Sequence, residues 1–338
     1  MKALFIGGTG TISTSITELC VKRGWDVTLL NRGNRPVPQG VRVIQDDIHD
    51  EAAVSVLLKD ECFDVAADFI AYTPADVERD IRLLEGKISQ YLFISSASAY
   101  QKPLSSPWIN ESTPLHNPYW EYSRNKIACE QRLMQEYNEK GFPVTIIRPS
   151  HTYCERSVPV LLHGANGSFA VLERIRQGKP VIVPGDGLTL WTLTHSRDFA
   201  VAFVGLMGNI HALGQAYQIT GDESLTWNQI YEAIGSALGV KPKLVHIAAE
   251  TIVALCPDVR GNLLGDKSNN VLFDNRKIKQ AVPEFCATIR FDQGVREAVD
   301  YIYSHPECQR PDPAFDQWCD QLAAEYEKMV EDLPKFQM

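Results

Sequence analysis

The sequence lacks the cysteine patterns that mark a zinc site or a disulfide framework. Its eight cysteines are scattered among 338 residues, with no Cys-x-x-Cys pair and no cysteine–histidine cluster. We therefore expect no metal site and interpret the cysteines as reduced thiols. No stretch of about 18 apolar residues is present, so no membrane span is expected, and the apolar run after Met1 is too short for a secretory signal. These absences predict a soluble cytoplasmic protein.

The sequence also lacks a basic run. It has 33 lysines and arginines against 42 aspartates and glutamates, which gives a formal net charge of -9. A nucleic-acid partner is therefore not expected, because such proteins carry clustered positive charge. The acidic balance by itself names no partner. With 44% hydrophobic residues, the chain can bury one large core or two moderate ones.

An apolar run at the start of the chain breaks into glycines and continues as a helical pattern. The order is strand, tight turn and helix. Gly7 can adopt backbone angles closed to other residues, and Gly10 lets a ligand approach the main chain. The amides at the start of the helix, around Thr11 and Ile12, favour an anion. Ser13 stands where a dinucleotide-binding loop usually has its third glycine. An ordinary turn is the alternative, but a loop directly after a strand favours the dinucleotide.

Strand and helix signals alternate through the first half of the chain. The expected strands are residues 2–6, 25–30, 41–44, 63–70, 91–94 and 142–147. The expected helices lie near residues 15–22, 50–59, 74–87 and 119–139. Repeated units of this length imply right-handed crossovers. The sequence therefore predicts an α/β fold with a doubly wound parallel sheet of Rossmann type, and a cofactor across its carboxyl edge.

The second half of the chain is less regular, with turn-rich segments between short helices. We expect residues 1–160, with returning segments near 181–220, to form the NAD(P)-binding domain. Residues 161–180 and 221–310 are expected to form a smaller, irregular substrate-binding cap. Residues 311–338 are expected to form a helical extension with apolar residues at helical spacing. This helix could pack on the body or on a second subunit, which leaves a homodimer open.

Tyr122 and Lys126 lie four residues apart in a predicted helix. They share one face, so the ammonium lies near the phenol and favours its ionised form. A tyrosine in this setting can act as an acid or a base. An isolated Tyr-x-x-x-Lys is common on solvated helices, but here a serine-rich strand end lies upstream. Ser96 at that strand end can donate to a substrate oxygen, or it can satisfy its own backbone.

Together these motifs resemble the extended short-chain dehydrogenase/reductases, the NAD-dependent epimerase/dehydratase family. The resemblance covers about residues 1–300 and also rests on Ile-Ser-Ser-Ala-Ser-Ala-Tyr at 94–100 and Ile-Arg-Pro-Ser-His-Thr-Tyr at 147–153. It implies that Tyr122 is the catalytic acid/base, that Lys126 binds the ribose and lowers the tyrosine pKa, and that Ser96 polarises the reacting carbonyl. It further implies adenine contacts from Asp47 and Ile48, nicotinamide contacts from Pro149, Ser150 and Tyr153, and a substrate contact from His151, which is otherwise a structural strand-end histidine.

The chain departs from this family pattern at two places. Ala97 and Ser98 stand where sugar dehydratases have an acidic pair, so a 4,6-dehydratase is disfavoured and Ser98 becomes a candidate substrate contact. Trp191 stands where nucleotide-sugar enzymes have an arginine for the diphosphate, which favours a free or otherwise modified sugar. Trp191 would contact the sugar face, or else lie in the core. Three further cations are candidates for substrate binding, each with a solvated surface position as the alternative: Arg260, Lys267 and Arg276.

The end of the second strand carries the cofactor preference. An acidic residue there would bind the ribose hydroxyls of NAD and repel a phosphate. This chain has Asn31 followed by Arg32, with Arg35 nearby. Since arginine suits a phosphate, we favour NADP over NAD. Asn31 could serve either ribose.

These features predict an enzyme that transfers hydride reversibly between a nicotinamide and a secondary alcohol of a sugar-like substrate. An epimerase is the simplest form of this activity. A one-way NADP-dependent reductase or dehydrogenase is the alternative, because it needs the same triad. The competing class is a cofactor-bound RNA-binding or regulatory protein, such as the stem-loop RNA-binding relatives in chloroplasts. The acidic balance and the intact set of Ser96, Tyr122 and Lys126 oppose it.

Overall fold

The computed structural model describes residues 1–334 and divides into two compact units. The first unit comprises Met1–Tyr153, Thr192–Glu223 and Val271–Ile289. The second comprises Cys154–Trp191, Ser224–Asn270 and the chain from Arg290 onward. The chain therefore alternates between the units, and neither is one continuous stretch of sequence.

Strands and helices are distributed over both units. The strands are β1 (Lys2–Ile6), β2 (Asp26–Asn31), β3 (Arg42–Gln45), β4 (Phe63–Asp68), β5 (Ile88–Ile94), β6 (Trp108–Ile109), β7 (Val144–Pro149), β8 (His151–Tyr153), β9 (Pro180–Pro184), β10 (Leu190–His195), β11 (Gln215–Ile219), β12 (Ser224–Thr226), β13 (Lys243–Ile247) and β14 (Leu272–Phe273). The α-helices are α1 (Ser13–Lys22), α2 (Glu51–Leu57), α3 (Pro74–Leu84), α4 (Glu121–Lys140), α5 (Phe169–Arg176), α6 (Ser196–Leu206), α7 (Trp227–Leu238), α8 (Ala249–Leu255), α9 (Arg260–Asn262), α10 (Arg276–Ala281), α11 (Phe291–Ser304) and α12 (Pro313–Asp332). Among the residues described, no helix combines the length and the apolar character that a membrane crossing requires.

Seven strands of the first unit form one sheet in the order β11-β7-β5-β4-β1-β2-β3. Every neighbouring pair is parallel. Side chains alternate between two buried clusters, with Phe5 and Phe203 in the cluster on one face and Leu4 and Tyr91 in the cluster on the other. Both faces are thus covered, as a parallel sheet requires. The predicted α/β fold with a doubly wound sheet is confirmed.

The strands β2 and β3 are shifted from the predicted bounds by one residue and β7 by two. Two further strands differ at one end because of contacts beyond their own sequence. β4 ends at Asp68 rather than at residue 70. The Asp68 carboxylate accepts hydrogen bonds from the amides of Ile70 (2.5 Å) and Ala71 (2.9 Å), which turns the chain out of the sheet. β5 begins at Ile88, three residues earlier than predicted, because Ile88 pairs with Phe63 of β4.

The division into units differs from the predicted domain bounds mainly at two segments, and it also places residues 154–160 in the second unit and 221–223 in the first. Residues 181–191 were predicted with the cofactor domain, but β9 pairs in parallel with β13 and lies in the second unit. Val271–Ile289 was predicted in the cap, but it lies in the first unit, where β14 pairs with β6. The Asn275 side chain strengthens this link by donating to the carbonyls of Thr220 and Gly221 (3.0 and 3.2 Å).

The C-terminal helix α12 is part of the second unit. The buried guanidinium of Arg174 in α5 pairs with the carboxylates of Asp316 (2.6 Å) and Asp320 (2.8 Å). It also donates twice to the carbonyl of Pro180 (2.9 and 2.7 Å). One arginine therefore joins α5, β9 and α12. The predicted extension also includes residues 335–338, which lie outside the described part of the chain.

Candidate active site

The turn after β1 is shaped by two glycines with positive φ. Gly7 and Gly8 have φ angles of 96° and 86°, which glycine adopts without strain. A Cβ atom at Gly8 would lie 2.5 Å from the Leu29 side chain of β2. The Gly10 amide donates to Oγ of Ser13 (2.8 Å), the first residue of α1. Ser13 thus closes the loop, and the chain enters a helix whose first amides suit a phosphate. These residues fit the pyrophosphate of a dinucleotide.

The carboxyl end of β2 presents arginines and no carboxylate. The Asn31 side chain donates to the carbonyl of Gly7 (3.3 Å) and so holds the glycine loop against β2. The Arg32 side chain is 68% exposed, and its guanidinium lies 3.9 Å from the Asp47 carboxylate. Arg35 donates to a carbonyl of the glycine loop (3.0 Å). Arg35 therefore contacts the loop that fits the pyrophosphate, whereas Arg32 follows Asn31 at the end of β2 and lies beside Asp47.

Lys126 is buried and makes two strong hydrogen bonds. Its ammonium donates to the carbonyls of Ala71 (2.7 Å) and Ile94 (2.6 Å). It also lies over the rings of Tyr72 (4.8 Å) and Phe93 (4.9 Å). Burial lowers the pKa of Lys126 to about 8, because desolvation disfavours the charged amine. Lys126 is thus fixed between the loop after β4 and the end of β5.

Tyr122 lies on the same face of α4 as Lys126, as the four-residue spacing predicts. The Lys126 ammonium is 5.8 Å from the centre of the Tyr122 ring. The half-buried Tyr122 ring also packs against Trp120 (4.8 Å between centroids) and Tyr72 (6.3 Å). A cation at this distance favours the ionised phenol. The structure therefore brings Tyr122 and Lys126 together, as the sequence predicts, and the acid/base role of Tyr122 stays a prediction.

Ser96 belongs to a chain of three hydroxyl groups. Its Oγ accepts from the amide of Ser98 (3.1 Å) and lies 2.8 Å from the Ser98 Oγ. The Ser123 hydroxyl donates to the Ser98 Oγ (2.7 Å). Ser98 can then direct its own proton to Ser96, which fills both acceptor positions of the Ser96 oxygen. The Ser96 hydroxyl is left to donate to another group, which is the role its position after β5 predicts.

Ser98 and Ser123 are buried and act on Ser96 through this chain. Ser98 was predicted as a substrate contact, but only 2% of it is exposed, so the packing favours a supporting role. Asn117 holds the same turn by donating to the Ser98 carbonyl (2.8 Å). Ser123 was not predicted. The sequence signal for it is its position directly after Tyr122. Its hydroxyl joins α4 to the serine turn.

A buried ion pair supports the same strand ends. Glu130 of α4 accepts two hydrogen bonds from Arg148 of β7 (3.0 and 2.6 Å) and one from the Ser95 hydroxyl. Arg148 also donates to the hydroxyl of Tyr100 (3.3 Å). These contacts fix the helix of Tyr122 and Lys126 against β5 and β7. Sequence reasoning missed them because they join residues far apart in the chain.

The predicted nicotinamide segment follows β7, the neighbour of β5 in the sheet. Pro149 is the last residue of β7, and the Ser150 hydroxyl donates to the Thr192 carbonyl (3.2 Å). β8, which contains His151 and Tyr153, then pairs with β10. His151 is half-buried and Tyr153 is buried. The segment and Ser96 therefore lie at one carboxyl edge of the sheet. The predicted adenine contact Ile48 lies in a core cluster.

The family can be assigned from the sequence match that accompanies this geometry. The family model described as NAD dependent epimerase/dehydratase matches residues 3–220. The chain belongs to this family. The matched range includes the glycine loop, Ser96, Tyr122, Lys126 and Pro149, so the whole of the site described above lies within it.

The curated relatives that the chain matches have names that describe different functions. The chloroplast stem-loop binding protein of 41 kDa b of Arabidopsis thaliana is 29% identical over 262 residues, which are 72% of this chain and 65% of that protein. The 2'-dehydrokanamycin reductase of Streptomyces kanamyceticus is 24% identical over 74% of this chain and 70% of its own length. The UDP-glucose 4-epimerase of Lactobacillus helveticus is 32% identical over 44% and 51%. The chain thus spans less than two thirds of the first and third relatives.

Solved structures of epimerases and dehydratases share the fold. UDP-glucuronic acid 4-epimerase from Bacillus cereus, solved with UDP-glucuronic acid and NAD, has a TM-score of 0.72 at 17% identity. The similarity covers 90% of this chain and 99% of that one. The dTDP-glucose 4,6-dehydratase from Bacillus anthracis, solved with NAD, has a TM-score of 0.73 at 17% identity, with 91% and 98% covered.

Two candidate substrate residues of the second unit are buried in its core. Trp191 is 2% exposed and stacks on Trp227, with 5.4 Å between the ring centroids. Lys267 donates to the carbonyls of Val160 (2.9 Å) and Leu161 (3.2 Å), and burial lowers its pKa to about 8. The packing favours a core role for both side chains over the substrate contact predicted from the sequence.

The other two candidate cations lie on the surface of their own units. Arg260 is exposed in the second unit. Arg276 in the first unit has 83% of its side chain exposed and pairs with Asp274. Their contribution to substrate binding stays a prediction.

Proposed function

We propose that this protein transfers hydride reversibly between a nicotinamide cofactor and a secondary alcohol of a sugar-like substrate, most simply as an epimerase. The observation that carries the proposal is the set of Tyr122, Lys126 and Ser96 around the carboxyl end of β5. The Lys126 ammonium, 5.8 Å from the Tyr122 ring, stabilises the phenolate. The Ser96 hydroxyl accepts from the Ser98 amide, and it is left to donate to the substrate when the Ser98 hydroxyl also directs its proton to Ser96.

Each residue has a separate part in this chemistry. The bound nicotinamide would accept or supply the hydride. Tyr122 takes the proton of the substrate hydroxyl and returns it in the reverse direction. Lys126 holds the ribose, and its positive charge favours the ionised form of Tyr122. Ser96 donates to the substrate oxygen, where negative charge develops. The same set also serves a one-way reductase, an alternative that the similarity to a reductase supports.

NADP is the proposed cofactor, on the strength of Arg32 and Arg35 at the end of β2. We expect Arg32→Asp to weaken NADP binding by about 10- to 100-fold, because a charge-assisted contact to the phosphate is lost and a like charge takes its place. NAD binding should change far less. Fluorescence titration of the reduced nicotinamides measures both. Equal losses for the two nucleotides would contradict the role of Arg32.

The substrate class is tested by a screen. Free sugars, modified sugars and nucleotide sugars are offered to the cofactor-loaded protein, and the nicotinamide absorbance is followed together with the product. An epimerase returns a stereoisomer without net cofactor change, whereas a reductase releases oxidised cofactor. Calorimetry with UDP, GDP and dTDP tests whether the protein binds the nucleoside diphosphate part of a nucleotide sugar. We expect weak or no binding. Micromolar binding of any of these nucleotides would favour nucleotide sugars over free or otherwise modified sugars as the substrate class.

An RNA-binding function is the alternative of another class, and the stem-loop binding relative supports it. The net charge of -9 opposes it, because RNA binding requires concentrated positive charge. Gel-shift measurements with stem-loop RNA, at low and moderate salt, separate the two functions. Submicromolar RNA binding together with no turnover of any sugar in the screen would favour the alternative, which also binds the cofactor.

Ser123 offers a test of the hydroxyl chain. We expect Ser123→Ala to lower kcat about tenfold on a substrate found by the screen, with little change in cofactor affinity, because Ser98 loses the donor that directs its proton to Ser96. Steady-state kinetics and cofactor titration measure the two effects. An unchanged kcat would show that Ser96 orients its hydroxyl without this chain.

A further inference from the structure

Two carboxylates hold the loop after β4 by accepting hydrogen bonds from four consecutive backbone amides. The amides of Ile70 and Ala71 donate to Asp68 (2.5 and 2.9 Å). The amides of Tyr72 and Thr73, which come next, donate to Asp76 (2.9 and 2.8 Å). The residues from Ile70 to Thr73, named here the clamped loop, therefore owe their conformation to two side chains rather than to the sheet.

The clamped loop supplies two of the contacts of Lys126. The Ala71 carbonyl accepts from the ammonium at 2.7 Å, and the Tyr72 ring lies 4.8 Å from it. The second acceptor, the Ile94 carbonyl, belongs to β5 and is fixed by the sheet. The carbonyl of Ala71 and the amide of Tyr72 form one peptide group. The bond to Asp76 at its amide therefore polarises the carbonyl that receives the ammonium.

Arg79 joins the two carboxylates from one side. Its guanidinium pairs with Asp68 (3.0 Å), Asp76 (3.3 Å) and Asp80 (2.7 Å). Asp80 differs from the other two, because its second oxygen accepts from the Tyr91 hydroxyl (2.6 Å) and it makes no bond to the clamped loop. Asp68 and Asp80 are thus both buried and both pair with Arg79. Of the two, only Asp68 accepts hydrogen bonds from the clamped loop, whose Ala71 carbonyl contacts Lys126.

We propose that Asp68 is a positioning residue for Lys126, acting through the clamped loop. Asp68 fixes the backbone at Ile70 and Ala71, and this backbone presents the acceptor that sets the place of the ammonium. The effect of Asp68 on cofactor binding rests on the proposed function, in which Lys126 binds the ribose. The geometry of the amine itself is independent of any cofactor.

The test compares Asp68→Ala with Asp80→Ala. Both variants remove one buried carboxylate from Arg79, so both lose stability, but only the first frees amides of the clamped loop. Lys126 reactivity is measured by reductive methylation with formaldehyde and borane, read by mass spectrometry. Lys140, exposed on the same helix, is the internal reference. We expect Asp68→Ala to label Lys126 about tenfold faster, and Asp80→Ala to stay within twofold of the wild type.

Amide exchange of residues 70–73 and nicotinamide titration complete the test. Faster exchange in the loop with unchanged Lys126 labelling would overturn the proposal, as would equal labelling of Lys126 in both variants. Should Asp68→Ala fail to fold, Asp76→Ala frees the next two amides from a more exposed position and is expected to act in the same direction. For Asp76→Ala too, faster exchange in the loop with unchanged Lys126 labelling would overturn the proposal. Failure of the wild type to bind NADP or NAD would overturn the proposed function, and the labelling result alone then decides the role of Asp68.

Discussion

Replacing Tyr122 by phenylalanine is expected to lower turnover by about two to four orders of magnitude and to leave nicotinamide binding nearly unchanged. The phenol is the group that exchanges the proton with the substrate, and phenylalanine keeps the ring contacts with Trp120 and Tyr72. Single-turnover kinetics on a substrate from the screen measure the chemical step, and fluorescence titration measures the cofactor.

Tyr119→Phe is the matched control for this change. Tyr119 lies three residues before Tyr122 and outside α4, so the same atom is removed from the same stretch of chain. Its turnover should stay near that of the wild type. Lys126→Met differs from both, because it should weaken the cofactor as well as the reaction. A Tyr122→Phe variant that reacts at the wild-type rate would refute the mechanism.

Replacing Arg174 by methionine is expected to lower the free energy of unfolding by about 3 kcal/mol. The buried guanidinium loses its bonds to Asp316, Asp320 and the Pro180 carbonyl, and the carbonyl is left without this donor. Lys179 still pairs with both carboxylates, which limits the loss. Denaturant titration gives the free energy, and amide exchange should show α12 opening first.

Arg176→Met is the control for the second unit. Arg176 lies two residues after Arg174 in α5. Its side chain is 53% exposed and pairs with Glu173 on the surface. An exposed pair of this kind contributes little to stability. If both variants unfold at the same denaturant concentration, α12 is held by packing rather than by Arg174.

The sequence allowed the Rossmann sheet and the pairing of Tyr122 with Lys126 to be predicted because both follow from local periodicity. A four-residue spacing on a helix brings two side chains together whatever surrounds them. The bonds from Ser123 to Ser98 and from the Ala71 amide to Asp68 follow no such period, since they depend on how a helix or a loop meets a strand end. For the same reason Trp191 could be read as a sugar contact or a core residue, and the packing on Trp227 favours the core.

The bounds of the two units were the least accessible from the sequence. β14 is two residues long, and its partner β6 is as short, so neither gives a periodic signal. Their pairing nevertheless draws Val271–Ile289 into the first unit. The end of β4 was misjudged because the apolar run continues past Asp68. A buried carboxylate that turns the chain is visible only when its amide partners are known.

The interleaved path of the chain has a consequence for synthesis on the ribosome. The sheet of the first unit gains its last strand, β11, only when Ile219 has emerged, although its neighbour β7 is complete at Pro149. Until then β7 is an open edge with unpaired amides and carbonyls, which can pair with another chain. A gene fragment that stops near residue 160 would make this transient state permanent. Expression of the first unit alone therefore calls for a rejoined chain that also carries Thr192–Glu223 and Val271–Ile289.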